Sequence, residues 1–185
     1  MNNLESAKQT EPSLVIIPLD VTFELFRLPS SAAEPFVEIL ESIYSRALRH
    51  SIAHPAIVPS QGNLTAVTAF EKASGDRYVS ITRTQHEISI LVDKKVGDEL
   101  RENENWVREL DGGLVKHEGP YGCLRVRGPM PLHLTGIAAN FSKTLQSANI
   151  AVFLISTWDT DWIFVKQDKL AEAATSLAAD GWIVL

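Results

Sequence analysis

The chain has 185 residues, a net charge of −6, 45% hydrophobic and 22% charged residues; these are globular values and exclude a wholly disordered chain. The acidic balance argues against a nucleic-acid binder that works through a basic face. A single cysteine excludes an internal disulfide and a cysteine-rich zinc module, so a reducing, cytoplasmic compartment is expected.

The start, Met1-Asn2-Asn3-Leu4-Glu5-Ser6, lacks the basic and apolar regions of a signal peptide. The longest apolar runs, such as Ile150 to Ile155, fall far short of the roughly 20 residues that cross a bilayer. The sequons at Asn63 and Asn140 are therefore expected to be unused, and neither membrane nor nucleic acid is expected as a partner.

Residues 1–12 are polar and unpatterned and read as a flexible tail. Leu14 to Ile17 and Val21 to Leu28 read as strands joined by a turn at Pro18-Leu19-Asp20. Pro35 suits a first helical turn. Phe36, Ile39, Leu40, Ile43, Tyr44, Ala47 and Leu48 then form one apolar stripe at helical spacing. Residues 51–63, with Pro55, Pro59 and Gly62, read as a loop. Leu64 to Phe70 is strand-like, Ser74-Gly75-Asp76 a turn, and Tyr78 to Thr82 and Glu87 to Val92 two more strands. The charged stretch 98–116 reads as a linker with a short helix or loop.

The second half is more regular. Gly122 to Arg127 reads as a strand, Thr135 as a helix N-cap, and Ile137, Ala138, Phe141, Leu145 and Ala148 as the buried face of the helix that follows. Ile150 to Thr157 and Trp162 to Val165 read as strands around the turn Trp158-Asp159-Thr160-Asp161. Asp168 reads as the cap of a last helix, with Leu170, Ala173, Ala174 and Leu177 inside. Gly181 ends it, and Trp182 to Leu185 is a final strand. This order, βαββαβ, is the ferredoxin-like split unit.

The stretch Ile155-Ser156-Thr157-Trp158-Asp159-Thr160-Asp161-Trp162-Ile163-Phe164-Val165 resembles a signature of the ACT domains in CASTOR-type proteins. Tyr78 to Thr84 before Glu87 to Val92 resembles a strand pair of that family. Leu134-Thr135-Gly136-Ile137 resembles its loop before a helix. The resemblance covers about residues 78–184, with a weaker echo at 14–28. It implies an α+β chain of two ferredoxin-like ACT domains packed in tandem. These are 13–97, with an insertion at about 31–76, and 117–185.

The resemblance further implies a non-catalytic regulator that binds an amino acid, arginine in the family's animal members, with no cofactor. An unidentified protein partner is expected. Mapped onto this chain, Thr135, Gly136 and Ile137 would offer backbone N–H groups and a helix dipole to a ligand carboxylate. Thr157, Trp158, Thr160 and Asp161 would supply carbonyls and a carboxylate, with Asp161 facing a guanidinium. Ala151 and Val152 would offer main-chain groups from a neighbouring domain. The second domain has no such neighbour in the chain, so a homodimer would complete the site.

Other readings stand beside these. Asp159 and Asp161 are favoured in turns for local reasons, and Thr135-Gly136 could simply start a helix. Trp158, Trp162 and Trp182 read as packing residues. His50 and His54 have the spacing of a helical metal pair, but no third ligand is evident and no metal is expected. His86 and His117 read as surface residues and Cys123 as a buried small one. An enzyme using Asp159, Asp161 and His133 is an alternative. A scaffold without ligand, docking through 31–76, is another.

Overall fold

The computed structural model describes residues 4–53, 78–131 and 133–185. The strand at 64–70, the turn at 74–76, His54 and most of the loop 51–63 lie outside the described residues. The chain divides into two compact units. Of the described residues, the first unit joins Leu4–Asp20 to Tyr121–Leu185, and the second holds 21–53 and 78–120. Both are α+β.

In the second unit, β2 (Phe23–Pro29) pairs antiparallel with β4 (Glu87–Asp93), and β3 (Val79–Arg83) pairs with the other side of β4. One face of this sheet presents Phe26, Leu28, Ile88, Ile90 and Val92 to a core with Phe36, Leu40 and Ile43 of the segment entering and forming α2 (Val37–Ala53). The predicted helical stripe is only partly a core face. Phe36, Leu40, Ile43 and Ala47 are buried, whereas Tyr44 and Leu48, with Val37, are exposed.

The expected linker is not a linker. It holds α3 (Lys94–Arg101) and α4 (Glu104–Asp111), capped by Asp93, which accepts from the Val96 N–H at 3.0 Å, and by Asn103, which accepts from the Trp106 N–H at 3.0 Å. Trp106 is fully buried, edge-on to Phe26 and Phe36 at 5.5 and 5.4 Å. The charged run thus carries Val96, Leu100 and Trp106, all wholly buried in the same core, and these anchors hold both short helices on the sheet.

In the first unit, β5 (Lys116–Val126) contributes its Tyr121–Val126 part. β7 (Asp161–Lys166) pairs with it, and β6 (Val152–Ser156) pairs with the other side of β7. On the opposite side, β1 (Ile16–Pro18) pairs with Leu124–Val126. The final segment forms no regular strand; it joins through one parallel bridge, Ile16 to Val184, with Ile16 donating to the Ile183 carbonyl at 2.8 Å. β1 occupies the place beside β5, which moves the terminal segment one position outward.

Helices α5 (Ile137–Ser147) and α6 (Leu170–Ala179) cover this sheet through Ile137, Phe141, Leu145, Ala173 and Leu177. Asp168 does not cap α6. It sits in a short 3-10 turn, Gln167–Lys169, and the cap position falls to Lys169.

The described part of the expected tail, from Leu4, is helical rather than loose. It forms α1 (Leu4–Thr10), whose Ala7 joins the core and whose Lys8 is fully buried. The Lys8 ammonium donates to the Asp180 carboxylate at 2.7 Å, to the Asp180 carbonyl at 3.1 Å and to Glu5 at 3.1 Å, and lies 5.3 Å from the Trp182 ring centre. Those acceptors replace the lost water and make burial of the charge tolerable.

Candidate functional site

The turn end of the β6–β7 hairpin carries four of the expected site residues, Thr157, Trp158, Thr160 and Asp161. Its turn closes through the Thr157 N–H and hydroxyl, which both donate to the Thr160 carbonyl, at 2.8 and 3.0 Å. The Thr160 hydroxyl donates to the Val126 carbonyl. The Met130 N–H donates to the Asp159 carbonyl at 2.8 Å. This docking depends on Gly128, whose φ is +72° and where a Cβ would stand 2.7 Å from the Asp159 carbonyl oxygen. The turn is therefore tied to the end of β5 and to the loop after it.

Two side chains at this turn have opposite environments. Trp158 is 87% exposed, contrary to its reading as a packing residue. The turn leaves its side chain out of the core cluster of its own unit. Asp161 is only 5% exposed, and its Oδ1 accepts from the Ser156 hydroxyl at 2.6 Å across the hairpin.

At the start of α5 the cap is Gly136, not Thr135. Gly136 has φ +83° and no side chain caps the helix. The first helical bond is from the Asn140 N–H to the Gly136 carbonyl at 2.8 Å. Among the described residues, and apart from its own chain neighbours, no atom lies within 4 Å of where a Gly136 Cβ would be. The first-turn N–H groups are without a side-chain cap, and they and the positive end of the helix dipole are of the kind that suits an anion. Thr135 is exposed beside it, and Ile137 is buried beneath.

The chain places these groups at one end of the sheet. β5 ends beside the hairpin turn, and its exit loop docks on Asp159 before leading to α5. The 11 residues of α5 span about 16 Å, and the helix returns the chain to the start of β6. Ala151 and Val152 lie there, at the other end. Val152 pairs with Val165, whereas Ser156 pairs with Asp161, a separation of about 13 Å along β6. One copy therefore gathers Thr157, Trp158, Thr160 and Asp161, sets Thr135, Gly136 and Ile137 at the same end, and holds Ala151 and Val152 away.

The remaining candidates fall elsewhere. Trp162 carries the Arg125 guanidinium 5.6 Å from its ring centre, and the buried Trp182 donates to Asn140 at 2.8 Å. Both are packing residues, as expected. His117 stacks obliquely on Phe26 at 4.9 Å, with its Nε2 3.4 Å from Arg101. Burial drives the Cys123 thiol pKa far up, over a backbone hydrogen bond from Ile163 and the Arg125 charge, so it is no nucleophile at neutral pH. Among the described residues, no three His, Cys, Asp or Glu side chains gather as metal ligands, and no helix is long and apolar enough to cross a membrane.

One feature escaped the sequence reading. An open groove of about 470 Å³ runs over α5 and α6, lined by Glu5, Asn140, Lys143, Thr144, Ser176 and Asp180. Polar residues on outer helix faces look the same in sequence whether or not they border a depression.

Residues 116–179 match the family model described as an ACT domain. The human protein named CASTOR3P is 27% identical over 104 residues, which are 56% of this chain and 63% of that protein. The chain thus spans under two thirds of that curated relative's length. Among solved structures, protein Atu0741 from Agobacterium tumefaciens is 23% identical with a TM-score of 0.55, covering 92% of this chain and 90% of that one. The regulatory subunit of aspartate kinase from Thermus thermophilus has 9% identity and a TM-score of 0.51, with 90% and 96% covered.

Proposed function

From the premise that the chain is an ACT-domain protein of CASTOR-like type, we propose that it is a non-catalytic regulator. It binds a small amino acid where two copies meet, as a homodimer of chains that each carry two ACT domains in tandem. Arginine is the ligand that the resemblance implies. The protein partner through which it signals is a further part of the proposal, as is a cytoplasmic location.

The observation that carries this reading is the division of the candidate residues between the two ends of β6. Among the described residues β6 pairs on one side only. Its Val-Phe-Leu-Ile run is half-buried, and an apolar free edge is a template for another strand. Two β6 edges pairing antiparallel about Leu154 would set Val152 opposite the partner copy's Ser156, and Ala151 opposite its Thr157. A two-fold axis would then complete two equivalent sites, each with a helix N-terminus for the ligand carboxylate.

The test is a thermal-shift panel of the standard amino acids on the wild type and on Gly136→Ala, whose methyl would intrude on the helix N-terminus. A ligand at 100 times its Kd adds about 2.7 kcal/mol. Stabilisation by one amino acid that Gly136→Ala loses supports the reading. A flat panel on a dimeric protein overturns it.

A further inference from the structure

We infer that α2 is the docking surface for the protein partner, and that the partner presents an amphipathic helix with a basic flank. This inference rests on the regulatory reading above and gives its unidentified partner a chemistry.

α2 carries more apolar surface than its core uses. Leu40, Ile43 and Ala47 are buried, whereas Val37, Tyr44 and Leu48 are 44%, 48% and 50% exposed. The spacing of the exposed three, i, i+7 and i+11, sets them in one row about 16 Å long. A row of that length matches about three turns of a second helix, laid against it by its apolar face.

The charge beside the row has one sign. Glu34, just before the helix, and Glu38 and Glu41 within it are exposed. Among the described residues, no ion pair takes up these three carboxylates. Arg46 lies half a turn round from Val37 and donates to Glu99 of α3 at 3.0 Å. The described rim of the row is therefore acidic, which complements lysine or arginine on a partner and repels an anionic membrane. A second copy fits less well. Two α2 helices packed antiparallel, Val37 against Leu48, would bring the two Glu41 carboxylates together beside the two-fold axis.

The experiment uses a labelled model peptide of about five helical turns, with leucines on one face and lysines beside them. A scrambled peptide of the same composition has no such face. Binding to the full chain is followed by fluorescence anisotropy at low and at physiological salt. The inference predicts that the patterned peptide alone binds, and more weakly as salt rises. The double variant Tyr44→Ala/Leu48→Ala should weaken binding at least about tenfold. Glu38→Lys/Glu41→Lys should weaken it as much and remove the salt dependence. All four side chains are exposed, so the variants keep the fold, which far-ultraviolet dichroism checks. Equal binding of the two peptides, binding unchanged in these variants, or no binding overturns the inference. So does loss of self-association in peptide-free Tyr44→Ala/Leu48→Ala, since the row would then belong to a second copy. The amino-acid panel is run on the same wild-type sample. A flat peptide titration overturns the docking inference alone, and a flat panel overturns the amino-acid reading.

Discussion

Lys8 shows how one charge can fix a segment with almost no apolar surface. Its ammonium is wholly buried between Asp180, Glu5 and the Trp182 ring. Its partners keep contact with water, Asp180 at 36% and Glu5 at 69% exposure, so Lys8→Met strands no buried charge and is expected to lower stability by only about 1 kcal/mol, read by denaturant unfolding. Burial alone would raise the Asp180 carboxyl pKa, but donation by Lys8, Thr144 and Asn140 and the Lys8 charge outweigh it, so the value lies below the usual range. The folded state therefore favours the ionised form. Its contribution is complete above the ordinary carboxylate pKa and is lost as pH falls through the lowered folded value. Asp180→Asn should be less stable than the wild type at pH 7, and the gap should close in acid.

The glycines of the candidate site make a second contrast at this scale. Gly128 and Gly136 both have positive φ, but only Gly128 has backbone packed against it. Gly128→Ala should cost about 2–3 kcal/mol, strain plus a clash, and Gly136→Ala about 1 kcal/mol, strain alone. Melting curves check this, at roughly 2–4 °C per kcal/mol for a chain of this size.

Among the elements, β6 has the largest consequence. A lysine at Ile155 would place a charge on the free apolar edge, the device by which sheets avoid unwanted pairing. Ile155→Lys should weaken self-association at least about tenfold by sedimentation while the far-ultraviolet dichroism is unchanged. The element scale also shows which patterns were legible beforehand. β3 and β4 announced themselves by β-rich runs around a polar link, and α5 by Ile137, Phe141 and Leu145 at helical spacing. α1 could not be read, because a buried lysine leaves no apolar period. Trp106 was hidden for the related reason that anchors as sparse as Val96, Leu100 and Trp106 make no clear stripe in a charged run. At the site, the chemistry of the residues at 135–137 and 157–161 was readable. Their exposure was not, since Trp158 and Asp161 are three positions apart and their environments depend on docking by Gly128 and Met130.

For the whole molecule, the proposal predicts that self-association and ligand binding are linked. The wild type should sediment at twice the 20.4 kDa of one chain. Its melting temperature should rise with protein concentration, and a bound amino acid should flatten that dependence, because both equilibria draw on the same folded dimer. A melting temperature independent of concentration across the micromolar range would count against a site shared between copies.

The ion pair that ties α1 to the end of α6 joins residues 172 positions apart. At about 5–20 residues per second, a ribosome needs roughly ten to thirty seconds to deliver Asp180 after Lys8. Until β5 follows more than 100 residues later, Leu14, Ile16 and Ile17, all wholly buried in the finished fold, have no strand to pair with. The second unit, encoded entirely in between, can assemble while they wait. The nascent chain is thus most vulnerable at its oldest end, and a chaperone acting on it would find its apolar handle there.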